Sequence, residues 1–202
     1  MHIICSDLEG VFIPEIWINV AERTGIEALR LTTRDIPNYD ELMQHRLKVM
    51  AENGLKLKDV TDAINGMEPL PGALDFVRWI RERTQLIVVS DTFLQFADPL
   101  MKKLERPTLF CHELEIAPDG SIANYKLRQP EAKRKTVLAL KSLRYTVLAF
   151  GDSYNDTGML EEADFGFFFR PPAKVIQDFP QFPVTEDYEA LKEHIRKSLN
   201  LK

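Results

Sequence analysis

The sequence predicts an α/β fold with a parallel β-sheet. Three short runs of apolar, often β-branched residues each stop at a polar residue or a glycine, as strands buried on both faces do; they cover residues 2–5, 86–90 and 145–151. Helical spacing of apolar residues precedes the second and third runs. This alternation favours right-handed βαβ crossovers, and ligands then bind at the carboxyl ends of the strands.

The other core elements are predicted from the same kinds of pattern. The two crossover helices cover residues 73–83 and 134–143, and a weaker strand covers residues 165–169. Two extended runs flank the turn sequence Pro-Asp-Gly at 118–120, which predicts a β-hairpin projecting from the core. A surface helix is predicted from Glu186 onward.

The segment after the first strand is helical in pattern and contains no strong strand. Its first predicted helix ends at Gly25, its second ends at Gly54, and a third covers residues 58–64. We interpret the segment as a helical cap inserted into the core. The predicted division is a core of residues 1–13 and 71–202 and a cap of residues 14–70.

Composition narrows the classes of function. The 202 residues are 45% hydrophobic and carry a net charge of −5, which argues against nucleic acid as a partner. No apolar run reaches the about 20 residues of a membrane span, and the short apolar start lacks the basic residues of a secretory signal. The cysteines and histidines are scattered, so neither a disulfide framework nor a zinc site is predicted. We therefore expect a cytoplasmic protein without membrane or nucleic-acid partners.

Polar side chains follow the predicted strands where each strand ends. Asp7 and Glu9 follow the first strand, and Ser90 and Thr92 lie at the end of the second. An aspartate there can be a metal ligand, a nucleophile or a turn-former, and the hydroxyls suit either a phosphate or a helix N-cap. Taken singly, the turn and the cap are the favoured explanations.

The stretch GDSYND after the third strand is more specific. Asp152 and Asp156 lie four residues apart on either side of Asn155, and grouped carboxylates favour a hard cation such as Mg²⁺. Together with Asp7 they would place three negative charges in one crevice, which raises pKa values unless a cation is bound. A phosphate drawn to that cation needs a further positive partner, and either Lys133 or its neighbour at position 135 could reach the rim.

These motifs, in this order, resemble a known family. DLEGV, VVSDT, Lys133 and GDSYND follow the four motifs of the haloacid dehalogenase-like (HAD) phosphohydrolases, and the helical insertion resembles their phosphoserine phosphatase branch. More narrowly, CSDLEGVFIPEIW, TRDIPNYD, SDTF and FGDSYNDT are similar to the bacterial bifunctional phosphoserine phosphatase/homoserine phosphotransferases. The resemblance covers nearly the whole chain and implies a Rossmann-like core with a parallel sheet, a small helical cap and a β-hairpin.

The resemblance also implies a catalytic apparatus. Asp7 would be the nucleophile that forms an aspartyl-phosphate, Glu9 the acid and base, and Ser90 and Lys133 the groups that hold the transferring phosphoryl oxygens. The implied cofactor is Mg²⁺. Its implied ligands are Asp7, the main-chain carbonyl of Glu9, Asp152 and, through the water shell, Asp156.

The implied substrates are L-phosphoserine and, as a second acceptor, homoserine, which places the enzyme in serine and threonine biosynthesis. Glu15 would bind the substrate ammonium and Arg46 its carboxylate, with Thr92 and Asn155 also in the substrate site. Without the resemblance, an exposed position on a helix is the favoured explanation for Arg46.

The sequence departs from the family pattern at two places. Most family phosphatases have aspartate where Glu9 stands, and many phosphoserine phosphatases have glycines where Asp91 and Thr92 stand. The longer side chain of Glu9 changes its reach towards water. We therefore hypothesise that Glu9→Asp alters the balance between hydrolysis and transfer.

Three questions stay open at this point. The same chemistry could act on another small phosphomonoester. A strand-end aspartate phosphorylated with Mg²⁺ also occurs in receiver domains, which act as switches, although the GDSYND motif and the helical insertion argue against one. Aromatic residues in the stretch 179–183 fit either an interface, such as that of a homodimer, or packing on the core.

Overall fold

Seven strands form one sheet in the computed structural model, which describes residues 1–33, 35–36 and 38–200. The strands are β1 (His2–Ser6), β2 (Gln85–Phe93), β3 (Thr108–Ile116), β4 (Ile122–Lys126), β5 (Thr146–Gly151), β6 (Phe165–Phe169) and β7 (Val184–Thr185). Their order is β4-β3-β2-β1-β5-β6-β7, and each neighbouring pair is parallel except β3 and β4. The predicted α/β fold is confirmed. Arg34 and Pro37 of the segment TRDIPNYD lie outside the described residues.

Helices cover both faces of this sheet. They are α1 (Ile16–Thr24), α2 (Tyr39–Glu52), α3 (Leu57–Asn65), α4 (Ala73–Arg81), α5 (Leu94–Lys103), α6 (Ala132–Ser142), α7 (Thr157–Glu162), α8 (Ala173–Asp178) and α9 (Tyr188–Leu199). Within β1, Ile3 and Cys5 pack into one apolar cluster, whereas Ile4 packs into a second. Successive strand residues point to opposite faces, so these two clusters are the two apolar layers between sheet and helices.

Strand β2 is longer than predicted. It continues past Ser90 to Phe93, and its pairing with β3 shifts register between Val89 and Phe93. Helix α5, which the sequence analysis did not predict, begins directly afterwards, and its N-cap residue Phe93 makes no side-chain cap hydrogen bond. The helix-cap explanation for Ser90 and Thr92 is therefore not observed.

The predicted hairpin is present, and its first strand also belongs to the central sheet. Strand β3 lies in the central sheet parallel to β2, with Ile87 opposite Thr108, and then turns back into β4 through Gly120. Residues 113–116 of β3 pair with β4, beyond His112, the last residue of β3 that pairs with β2, so the hairpin extends past the pairing of β2 with β3. Its turn contacts the start of α3, where the N–H of Leu57 donates to the carbonyl of Gly120 at 3.0 Å.

Helices α1 to α3 form the segment between β1 and α4. Gly25 and Gly54, with φ of 71° and 65°, follow the ends of α1 and α2, as the sequence predicts. At the two ends of the segment, the N–H of Leu70 donates to the carbonyl of Phe12 at 2.8 Å. The division into core and cap stays a prediction.

The last helix packs beside the first loop. The hydroxyl of Tyr188 donates to the carbonyl of Val11 at 2.6 Å, and its ring stacks on Phe76 and Phe169. The aromatic stretch 179–183 also packs inwards, since the ring of Phe182 lies edge-on to Phe168 with 5.4 Å between centroids. Within the described part of the chain, no helix has the length and apolar character needed to cross a membrane.

Candidate active site

The carboxyl ends of β1, β2 and β5 meet at a cavity of about 100 Å³. Because parallel strands end at the same edge, side chains far apart in sequence converge there. The cavity is lined by nine of the ten predicted site residues, namely Asp7, Glu9, Glu15, Arg46, Ser90, Thr92, Lys133, Asp152 and Asn155. The tenth, Asp156, lies directly behind and is fully buried.

Asp7 follows the central strand β1 and is 5% exposed. Its Oδ1 accepts a hydrogen bond from the N–H of Leu8 at 2.7 Å and lies 2.9 Å from Nζ of Lys133. Burial raises the pKa of Asp7, and the charges of Asp156 and Asp152 raise it further, whereas Lys133 lowers it. Additional positive charge in this crevice would favour the ionised, nucleophilic form.

Lys133 lies in the first turn of α6 and is 4% exposed. Its Nζ contacts Oδ1 of Asp156 at 2.8 Å in addition to Asp7. Burial lowers the pKa of Lys133, but the charges of Asp156 and Asp7 outweigh it, so the pKa lies well above its usual value. Lys135 lies on the same helix, is partly exposed and does not line the cavity, so of these two lysines only Lys133 lines it.

Both carboxylate oxygens of Asp156 accept hydrogen bonds. Its Oδ2 accepts the N–H groups of Asp152 and Ser153, each at 3.0 Å, and its Oδ1 accepts from Lys133. Carboxylate oxygens of Asp7, Asp152 and Asp156 lie within 4.8 Å of one another. Three converging oxygen donors fit a hard divalent cation such as Mg²⁺.

Two glycines make room for these carboxylates. A Cβ on Gly10, whose φ is 71°, would lie 2.4 Å from Oδ2 of Asp152, and a Cβ on Gly151 would lie 2.2 Å from Cγ of Asp156. Any other residue at either position would displace an acidic side chain from the crevice.

Glu9 reaches from the first loop to helix α1. Its Oε2 accepts a hydrogen bond from the N–H of Ile16 at 2.8 Å, where the N-cap residue Glu15 makes no side-chain cap hydrogen bond. Burial and, to a smaller extent, the charge of Glu15 raise the pKa of Glu9 to about 8, against the lowering by Ile16 N–H and Arg46. Glu9 is therefore largely protonated at neutral pH and can donate a proton.

Arg46 is 6% exposed, so the exposed position favoured on helix pattern alone is wrong. Its guanidinium carbon lies 4.5 Å from the ring centroid of Trp17, and Nη2 donates to the carbonyl of Leu31 at 2.9 Å. Its Nε is buried and has no hydrogen-bond partner within the described residues. Burial lowers the pKa of Arg46 to about 10, which still leaves the side chain charged at neutral pH. A buried cation with an unused donor suits a ligand carboxylate.

Ser90 and Thr92 are buried at the end of β2, and the N–H of Thr92 donates to Oγ of Ser90 at 3.2 Å. Asn155 lies opposite them, but its amide nitrogen donates to Oδ2 of Asp91 at 2.8 Å. The resemblance implied that Asn155 lies in the substrate site. In this structure the partner of Asn155 on β2 is Asp91.

Sequence reasoning did not select Asp91 or His112 as site residues. Asp91 lies beside Ser90, and its Oδ1 is 3.6 Å from Nε2 of His112 on the neighbouring strand β3. Burial acts to raise the pKa of Asp91, but Lys133, His112 and Asn155 together hold it below its usual range. Asp91 could have been selected from the sequence because it is the acidic residue inside the VVSDT motif. His112 could not, because its position beside Asp91 depends on the pairing of β3 with β2.

Comparison with known proteins places the chain in a family. Residues 7–164 match the model of the haloacid dehalogenase-like hydrolases. The chain belongs to this family. It is 54% identical to the phosphoserine phosphatase ThrH of Pseudomonas aeruginosa, over 98% of this chain and 97% of that protein. It is 52% identical to a phosphoserine phosphatase of Pseudomonas syringae pv. tomato, over 99% of this chain and 84% of that protein.

The fold of this HAD hydrolase also occurs among solved structures. A substrate-bound phosphoserine phosphatase complex superposes with a TM-score of 0.77 at 16% sequence identity, over 96% of this chain and 97% of that one. At this identity the likeness concerns the fold alone. It agrees with the Rossmann-like HAD core that the sequence motifs imply.

Proposed function

We propose that this HAD hydrolase is a Mg²⁺-dependent phosphoserine phosphatase that can also transfer the phosphoryl group to homoserine. The observation that carries the proposal is one small cavity with a different set of charged side chains at each end. One end contains the contact between Asp7 and Lys133, and the other contains the buried Arg46 and the half-buried Glu15. The identity of 54% to a named phosphoserine phosphatase supports the same substrate.

In the first step, a carboxylate oxygen of Asp7 attacks phosphorus, and the bond from phosphorus to the serine oxygen breaks. Glu9 gives its proton to that oxygen, which leaves as the hydroxyl of serine. The pKa of Glu9 near 8 keeps the proton available at neutral pH. Lys133 and Ser90 hold the phosphoryl oxygens as charge develops on them.

In the second step, a water molecule attacks the phosphorus of the aspartyl-phosphate, and Glu9, now ionised, takes the proton of that water. The bond from phosphorus to Asp7 breaks, which regenerates the carboxylate and releases inorganic phosphate. If homoserine occupies the amino-acid end of the cavity, its hydroxyl replaces water and the product is phosphohomoserine.

Mg²⁺ would be held by Asp7, Asp152 and the main-chain carbonyl of Glu9, with Asp156 behind them. When bound, it supplies positive charge that reduces repulsion between the carboxylates and an incoming phosphate. Lys133 already joins Asp7 to Asp156, and Gly10 leaves the space that the carboxylate of Asp152 occupies.

The amino-acid end of the cavity would select the substrate. The Arg46 side chain, held over Trp17, offers its buried Nε to the substrate carboxylate, and Glu15 pairs with the ammonium. Trp17 restricts the Arg46 guanidinium, so little rotational freedom is lost on binding.

The test measures phosphate released from L-phosphoserine with Mg²⁺, with and without homoserine, and follows phosphohomoserine by ³¹P NMR. We expect Asp7→Asn to abolish both products, whereas Asp75→Asn, the same change at an 81% exposed side chain on α4, leaves both unchanged. If L-phosphoserine is untouched while an aryl phosphate is cleaved through Asp7, another phosphomonoester is the substrate. A lasting phospho-Asp7 without turnover would instead indicate a switch.

A further inference from the structure

Asp91 is a charged side chain that faces the cavity but takes no part in the steps above. It lies at the end of β2 between Ser90 and Thr92, and its side chain is 32% exposed. The side chains of Lys133 and Asp7 are only 4% and 7% exposed. A phosphate that enters the cavity therefore meets the Asp91 carboxylate as well as Lys133.

Two polar neighbours face the Asp91 carboxylate and stabilise its ionised form. Asn155 donates to its Oδ2 at 2.8 Å, and Nε2 of His112 lies 3.6 Å from its Oδ1. Nδ1 of His112 accepts the N–H of Arg128 at 3.1 Å, so the ring proton lies on Nε2 and points to Asp91. These contacts do not require a bound ligand, which makes the negative charge a permanent part of the cavity wall.

Lys133 has three N–H donors, and the structure accounts for two of them. Nζ lies 2.9 Å from Oδ1 of Asp7 and 2.8 Å from Oδ1 of Asp156. The next carboxylate, Oδ2 of Asp91, is 3.7 Å away, which is close enough for attraction but beyond a hydrogen bond. The third donor of Lys133 is the one available to a phosphoryl oxygen.

We propose that the Asp91 carboxylate competes with bound phosphate for Lys133, repels the phosphate, and so weakens the binding of inorganic phosphate after hydrolysis. The inference rests on the proposed function, because it assigns phosphate to the end of the cavity near Lys133. Phosphoserine is held by Arg46 and Glu15 as well, whereas inorganic phosphate has only the phosphate end. Inorganic phosphate therefore has no contacts that offset the repulsion by Asp91, whereas phosphoserine keeps its contacts with Arg46 and Glu15.

The test is calorimetric titration of inorganic phosphate into the full chain with Mg²⁺ present, without turnover. Asp91→Asn keeps the shape of the side chain and removes its charge, and Asp91→Ser removes the charge in a smaller side chain. Asp75→Asn changes the net charge equally at a distant exposed position. We expect both Asp91 variants to bind phosphate on the order of tenfold more tightly than wild type, and Asp75→Asn to bind it equally.

Tighter binding is a result that structural damage does not produce, and a melting curve for each variant confirms folding. If wild type binds phosphate and both Asp91 variants bind it equally or more weakly, the inference is overturned and the proposed function stands. If neither wild type nor either Asp91 variant binds phosphate with Mg²⁺ present, the phosphate site itself is misplaced and both proposals fall.

Discussion

The carboxylate of Glu9 accepts a hydrogen bond from the N–H of Ile16 at 2.8 Å and so joins the loop after β1 to the first turn of α1. Ile16 is the first residue of that helix, whose terminal N–H groups have no partner within the helix. The same side chain is the proposed acid and base. Proton transfer and the position of the cap segment are therefore connected through one residue.

Shortening this side chain should affect both roles. In Glu9→Asp, the carboxylate is one methylene shorter and cannot keep its place in the cavity while holding Ile16. We expect a loss of about 1 kcal/mol in the free energy of unfolding and a changed ratio of phosphohomoserine to inorganic phosphate. Denaturant unfolding and ³¹P NMR measure the two effects. An unchanged product ratio would contradict the hypothesis that the length of Glu9 sets the balance.

Removing the Glu9 proton should slow the phosphorylation of Asp7 only for substrates whose leaving group needs a proton. In Glu9→Gln we expect phosphorylation of Asp7 by L-phosphoserine to slow by about 10²-fold or more, whereas the burst of p-nitrophenol from its phosphate ester remains, because nitrophenolate leaves without a proton. Rapid-mixing kinetics separate this step from turnover. Equal losses with both substrates would remove Glu9 from the role of acid.

The same proton predicts a pH dependence. The pKa of Glu9 is raised to about 8, so its proton-donating form is present below that pH and is lost as pH rises through it. The single-turnover rate with L-phosphoserine should therefore fall above about pH 8, and the fall should be absent in Glu9→Gln. A wild-type rate that stays level from pH 7 to 9.5 would show that this proton is not used.

Arg46 should matter only for substrates with a carboxylate. We expect Arg46→Gln to raise the KM for L-phosphoserine by roughly 10- to 100-fold, because a buried charge-assisted pair is lost. Phosphoethanolamine, which lacks that carboxylate, should be affected far less by the substitution. If both substrates lose equally, the effect comes from the packing of Arg46 on Trp17.

Gly10 should be required for the metal site in a way that other positive-φ glycines are not. Alanine at either Gly10 (φ 71°) or Gly54 (φ 65°) strains the backbone by about 1–2 kcal/mol. Only at Gly10 would the new Cβ meet a carboxylate, Oδ2 of Asp152 at 2.4 Å, whereas nothing lies within 4 Å at Gly54. We expect Gly10→Ala to weaken Mg²⁺ binding by about tenfold or more, measured by calorimetry, and Gly54→Ala to leave it unchanged. Equal Mg²⁺ affinities in the two variants would argue against Asp152 as a ligand.

The sequence predicted the elements that depend on local pattern. The buried runs of β1, β2 and β5 were recognisable from composition, and parallel pairing then brought Asp7, Ser90 and Asp152 to one edge. Gly25 marked the end of a helix because few other residues adopt its left-handed conformation.

What the sequence could not supply depends on tertiary contacts. The neighbours of Asp91 follow from the register of β3 against β2, which shifts between Val89 and Phe93. The burial of Arg46 comes from Trp17 on another helix, and no pattern within α2 records that contact. The pairing of β3, the first strand of the hairpin, with β2 is likewise not visible in the hairpin sequence itself.

The contact between Tyr188 and Val11 has a consequence for how the protein is made. The two residues are 177 positions apart, and Val11 belongs to the loop that follows the proposed nucleophile. Synthesis proceeds from the amino terminus, so this loop gains its partner only when nearly the whole chain has left the ribosome. A nascent chain that ends before α9 already contains every proposed catalytic residue. It lacks the Tyr188 hydroxyl, which donates to the loop after β1. The loop after β1 is thus among the last parts of the protein to gain its tertiary contacts.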